Sequence, residues 1–170
     1  MQSVQPQSDL QGLCLQQIQT METNRQSVIR DVKKYFRIDE LVCPHVFRRD
    51  GELAWRYFST EFLETLLAIR RILGQPMIIN NYKSDLTQRG LRCNLCEIVK
   101  SKTSLYMSAH VLGEAFDATV KGMTAAQARE LIKIHSYRLP YPIRMERNVE
   151  WLHVDVFDNG NGDKITEFNR

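Results

Sequence analysis

Residues 108–117 read Ser-Ala-His-Val-Leu-Gly-Glu-Ala-Phe-Asp, and the interval from His110 to Asp117 restricts the backbone more than any other stretch of the chain. On a continuous α-helix these two side chains would stand about 10 Å apart along the axis, at about 1.5 Å per residue. If they serve one ion, the chain between them must double back. Gly113 is placed to allow it, because glycine takes positive φ without strain. His110 is then expected on a loop or short strand and Asp117 on the next strand, 115–120. Further on, the run 149–156 alternates, with Trp151, His153 and Asp155 on one face and Leu152, Val154 and Val156 on the other. A period of two is the signature of a half-buried strand.

Two imidazoles, an aspartate and a spare glutamate are the parts of a hydrolytic zinc site. Catalytic zinc takes three protein ligands and leaves a fourth position to water, and a non-ligand carboxylate nearby can accept that water's proton. Ligand atoms sharing one zinc lie about 3–3.5 Å from each other, given bonds of about 2 Å. The residues assign His110, Asp117 and His153 as ligands and Glu150 as the base. Residues three apart on an ideal strand face opposite ways, so Glu150 meets the ion only if the strand bends or begins just after it. Arg147-Asn148 reads as such a turn. Asp155 shares the face of His153 and is placed to orient its imidazole.

The pattern S-x-H-x-x-G-x-A-x-D followed by E-x-x-H resembles the zinc D-Ala-D-Ala carboxypeptidase family. That group includes the vancomycin-resistance D-Ala-D-Ala dipeptidases and the phage L-alanyl-D-glutamate endolysins, and the Hedgehog signalling domain shares its fold. Tyr35-Phe36-Arg37-Ile38-Asp39-Glu40-Leu41-Val42-Cys43 is similar to the F-x-x-x-E-x-x-C entry segment of the phage and bacterial branch, so the resemblance spans about residues 32–168. It implies the same three zinc ligands, Glu150 as general base, Ser108 as a substrate contact, and peptidoglycan stem peptides or other D-Ala-containing peptides as substrate. The family commonly carries Tyr-Arg-Ser or Tyr-Arg-Pro, whose arginine steadies the oxyanion; here the place reads Tyr82-Lys83-Ser84. Lysine supplies charge without the bidentate fork of arginine. Either Lys83 serves as a point charge, or Arg89 or Arg92 reaches in, and Arg92 is the favoured of these. Because the Hedgehog relatives warn of zinc kept for structure alone, the rival expectation is a non-catalytic zinc-containing binding module or a phage structural component.

The four cysteines are Cys14, Cys43, Cys93 and Cys96. Cys93-Asn94-Leu95-Cys96 with Cys43-Pro44-His45 could complete a second, structural zinc site; the plainer alternative is four reduced thiols, two of them buried as small hydrophobes. His45 and His135 otherwise read as hydrogen-bonded structural histidines. The formal charge of +3 comes without a clustered Lys/Arg stripe, which argues against nucleic acid. No apolar run approaches the roughly 20 residues of a membrane helix. The start of the chain has neither a basic n-region nor an apolar h-region, so the expectation is a product cytoplasmic as synthesised. Reaching cell wall would then require assisted release.

Residues 1–26 hold eight glutamines and read as an appended segment, helical or disordered, ahead of a 27–170 zinc peptidase-like domain. Ser59 or Thr60 opens a helix that Gly74 ends, and Thr124 with Gln127 opens another running to about Ser136. Strands are expected at 77–79, 115–120, 143–146, 149–157 and 164–168, the last two joined by the turn-rich 158–162. The fold class is therefore α+β, a small, mainly antiparallel sheet flanked by helices.

Overall fold

A computed structural model describes residues 17, 21, 24–157 and 160–169. Most of the glutamine-rich 1–26 segment, Cys14 and the 158–159 part of the last turn lie outside the described residues. A helix, α1, covers 24–32, and its Val28 and Val32 are buried in the core. Arg25 donates to the Trp55 and Phe58 carbonyls at 3.1 and 2.6 Å. Contacts with the body of the domain thus begin before residue 27. Next come α2 (Pro44–Asp50), α3 (Thr60–Leu73), β1 (Met77–Ile78), the short α4 (Glu97–Lys100), β2 (Ala115–Val120), α5 (Ala125–Ile134), β3 (Ile143–Glu146), β4 (Leu152–Asp155) and β5 (Ile165–Phe168).

The helices begin and end where their capping residues direct. Ser59 Oγ accepts the Phe62 N–H, and Gly74 closes α3 at φ 65°. Thr124 and Gln127 form a reciprocal capping box at α5. α3 buries Phe62, Leu63, Leu66, Leu67, Ile69, Ile72 and Leu73, and its Phe62 meets Phe116 of β2 edge-on at 6.3 Å. α5 packs on β2 and β4.

The five strands run in the order β1-β2-β4-β3-β5. The β1–β2, β2–β4 and β3–β4 pairings are antiparallel, while β3–β5 is parallel. The α+β class with a small, mostly antiparallel sheet is as expected, but two details differ. β5 lies beside β3 and not beside β4, so 158–162 does not join a hairpin. β4 also begins at Leu152 rather than 149. Asn148 has φ 60°, and the Arg129 guanidinium takes the Val149 and Trp151 carbonyls at 3.3 and 3.2 Å, which removes them from a strand ladder.

The two faces of the sheet serve different ends. Leu152 and Val154 of β4 enter the apolar core, while His153 and Asp155, the alternate residues, line a cavity on the other side. No helix among the described residues is long and apolar enough to cross a membrane.

Candidate metal centre

Asp117 pairs with His153 across the β2–β4 ladder, which sets a carboxylate and an imidazole side by side on the cavity face. His110 arrives on a tight loop that returns the chain to β2. Val111 N donates to Ser108 O at 2.9 Å and Glu114 N to Ala109 O at 2.8 Å. Gly113 turns the loop at φ 76°, and a Cβ there would stand 2.5 Å from the Tyr57 carbonyl oxygen. Both the dihedral and the space therefore demand glycine.

The ligand atoms of His110, Asp117 and His153 all lie within 4.8 Å of one another. His110 Nε2 is 3.3 Å from Asp117 Oδ2, and His153 Nδ1 is 2.7 Å from Asp117 Oδ1. The first distance matches the edge of about 3.3 Å in a tetrahedron with bonds of about 2.0–2.1 Å. The outer nitrogens are already engaged. His110 Nδ1–H donates to the Gly90 carbonyl at 2.9 Å, and His153 Nε2–H donates to Asp155 Oδ2 at 3.1 Å. Asp155, 1% exposed, is in turn gripped by Arg144, Nε to Oδ1 at 2.7 Å and Nη2 to Oδ2 at 3.0 Å. This is the support that fixes tautomer and ring plane in histidine ligands. The donor set fits a divalent transition metal.

In the metal-free protein the two imidazoles differ, and a metal would have to displace a proton from His153. Burial holds His110 below the usual imidazole range despite the opposing Asp117 carboxylate, so Nε2 keeps its lone pair. Burial also disfavours charge on His153, but its bonds to Asp117 and Asp155 outweigh that and push it up to about 9. Asp117 is raised by burial, yet the two imidazoles more than compensate, and its carboxyl stays well below the usual carboxylate range. Arg92, 6% exposed, adds a 2.9 Å ion pair to Asp117 Oδ2.

The trio opens on a cavity of about 760 Å³. Several of the residues singled out by sequence line it: Arg92, Arg89, Ser108 and Asp155 beside His110, Asp117 and His153. Arg89 Nη1 donates to Thr119 Oγ1 at 2.8 Å, and no carboxylate pairs with it among the described residues. The Ser108 hydroxyl is buried with no hydrogen-bond partner among the described residues. Two expected residues are not brought there. Lys83, on a short 3-10 turn, is exposed, and Glu150 is exposed on the turn before β4; neither lines the cavity.

A carboxylate that sequence reasoning passed over does line it. Glu146, 6% exposed, ends β3. The register Arg144↔Asp155, Met145↔Val154, extended by one residue, sets Glu146 opposite His153. Its side chain has no hydrogen-bonding or ionic partner among the described residues. The signal was available in the strand pattern of Ile-Arg-Met-Glu, where Arg144 and Glu146 share a face.

A second group, Cys43, His45, Cys93 and Cys96, also brings its ligand atoms within 4.8 Å of one another and could hold a metal ion. His135 remains apart from both, its Nδ1 buried without a partner among the described residues and its ring edge-on to Tyr137.

Comparison with protein-family models, curated proteins and solved structures finds no match to this chain.

Proposed function

We propose that the chain is a zinc-dependent peptidase acting on peptidoglycan stem peptides or related D-Ala-containing peptides, with a Hedgehog/D-Ala-D-Ala peptidase-like fold. One observation carries the reading: two imidazoles and a carboxylate converge within 4.8 Å, with the outer imidazole nitrogens already bonded, at the wall of a substrate-sized cavity. His110, Asp117 and His153 would hold the ion. Zinc bound there would supply Lewis acidity toward a water and a peptide carbonyl.

The remaining chemistry belongs to the chain. Glu146 is buried at the cavity wall without a partner among the described residues, which suits a carboxylate that takes a proton from the attacking water and returns it to the leaving amine. The resemblance gives this role to Glu150, whose exposed position on the 147–151 turn favours Glu146 instead. Arg92 places a guanidinium beside Asp117, where negative charge develops on the scissile carbonyl. Ser108 Oγ offers a hydrogen bond that no other described residue uses. Arg89, whose guanidinium bonds only a neutral hydroxyl among the described residues, is suited to a substrate carboxylate, which stem peptides carry.

The test is digestion of purified peptidoglycan by the metal-loaded chain, with fragments read by mass spectrometry. Peptide-bond cleavage that His110→Ala and His153→Ala abolish, together with loss of the metal from that site, is the expected result. Intact muropeptides despite a full metal load would leave the rival reading, a non-catalytic zinc-containing module, which the exposure of Glu150 and Lys83 favours.

A further inference from the structure

We infer that Cys43, His45, Cys93 and Cys96 bind a second zinc ion, tetrahedrally and with no open position, as a clamp between the start of α2 and the loop that walls the cavity. This does not rest on the hydrolytic reading. The argument begins with distances. Cys43 Sγ is 3.6 Å from Cys93 Sγ, Cys93 Sγ is 3.9 Å from Cys96 Sγ, and Cys96 Sγ is 3.8 Å from His45 Nδ1. Zinc bonds of about 2.3 Å to sulfur and about 2.0–2.1 Å to nitrogen give tetrahedral edges of about 3.8 Å between sulfurs and about 3.6 Å from sulfur to nitrogen. The sulfurs are also far beyond the roughly 2.05 Å of a disulfide.

The backbone prepares this arrangement. Cys43 is the N-cap residue of α2, with Pro44 next, so the chain turns sharply and brings His45 back toward Cys43. Cys96 caps α4, and Cys96 N donates to Cys93 O at 3.0 Å, the tight turn a C-x-x-C pair needs to aim both sulfurs at one point. Val42 and Leu91 form a parallel bridge, and Cys43 N donates to Leu91 O at 2.9 Å. The two halves of the cluster are thus joined by main chain as well as by sulfur. Three thiolates and one imidazole suit zinc and fill all four positions, as in closed structural sites.

The location gives the ion a role. Cys93 follows Arg92, which pairs with Asp117 and whose N–H donates to His110 O at 3.0 Å. Gln88, Arg89 and Arg92 of the same loop, with Ile98 of α4, line the cavity. An ion fixing Cys93 and Cys96 to α2 holds that wall in place, including the Gly90 carbonyl that orients His110.

The test uses the full chain. Elemental analysis should find two zinc ions per chain, falling to one in the His110→Ala/His153→Ala variant and also to one in Cys93→Ser/Cys96→Ser. Cobalt substitution should give a near-ultraviolet thiolate-to-cobalt band that persists in the histidine variant, whose intact cluster alone carries sulfur, and vanishes in the cysteine variant. In the native zinc-loaded chain at most one thiol, Cys14, should react with a thiol reagent, and all four of the chain's cysteines should react after chelation and unfolding. A single zinc with no sulfur-to-cobalt band in the unmutated chain, or iron in place of zinc, would overturn the inference even if hydrolysis proceeds. That unmutated-chain spectrum decides the matter should the cysteine variant fail to fold.

Discussion

Gly90→Ala is the perturbation that most directly tests how the centre is held. A Cβ at position 90 would stand 2.0 Å from the Leu41 carbonyl oxygen and 2.6 Å from its carbon. Real Cβ contacts begin at about 3 Å, so the backbone of one segment must move by about 1 Å. Neither can do so freely. Leu91 N donates to Leu41 O at 2.9 Å, Cys43 N to Leu91 O at 2.9 Å and Arg92 N to His110 O at 3.0 Å. Such overpacking costs about 1–3 kcal/mol. The same displacement carries away the Gly90 carbonyl that accepts His110 Nδ1–H at 2.9 Å, and a buried donor left unpaired adds about 1–3 kcal/mol. Stability should therefore fall by about 2–6 kcal/mol, measured by urea unfolding of the metal-free protein. Metal affinity at the histidine centre should fall about 10–100-fold, as when the outer partner of a ligand is lost; competition with a chromogenic chelator reads this. Gly122→Ala is the control. Gly122 has φ 74°, and a Cβ added there would meet nothing within 4 Å. That variant therefore carries only the positive-φ strain of about 1–2 kcal/mol and leaves metal affinity alone. If the two variants lose equal stability and both bind metal normally, the close approach at Gly90 does not govern His110.

Three further outcomes are expected. Glu146→Gln should retain metal and lose about 10²–10⁴ in turnover of muropeptides, while Glu150→Gln stays near the unmutated rate; the reverse order would return the base to Glu150. Asp155→Asn removes the carboxylate that receives His153 Nε2–H and Arg144, and should weaken metal binding about 10–100-fold; unchanged affinity in the chelator competition would show that His153 needs no such partner. Burial raises the Glu114 carboxyl above its ordinary value, opposed by the Ser59 hydroxyl, so the folded chain binds this proton more tightly than the unfolded one. Its ionisation therefore costs stability at neutral pH, and that cost is relieved as pH falls through the raised value toward about 4.5. Glu114→Gln should stabilise the protein at pH 7 and flatten that part of the profile in thermal melts, whereas an unaltered slope would refute the assignment.

What was legible in the sequence divides along a physical line. Local rules placed most elements: Ser59 and Gly74 bound α3, Thr124 with Gln127 starts α5, and the doubling back at Gly113 follows from a φ few other residues accept. The trio His110, Asp117 and His153 was legible because a shared ion imposes a distance that only a folded-back loop and two paired strands can meet. What depended on long-range pairing was not. β5 joins β3 in parallel, a choice that no local pattern in 158–168 records, and Arg129 trims β4 from twenty residues away.

Glu146 shows the same division inside the site. E-x-x-H spacing draws attention to Glu150, but a period of two sends a residue three positions before His153 to the opposite face unless the chain bends. The chain does bend, at Asn148, yet it leaves Glu150 in solvent. The neighbour of a strand residue on its own face is set by the next strand's register, and the β3–β4 register, extended by one residue, sets Glu146 across from His153. A carboxylate brought in on a separate strand can be buried at the cavity wall without straining the ligand's own backbone. For that reason the paired Glu146→Gln and Glu150→Gln measurements distinguish a base chosen by sequence spacing from one chosen by sheet register.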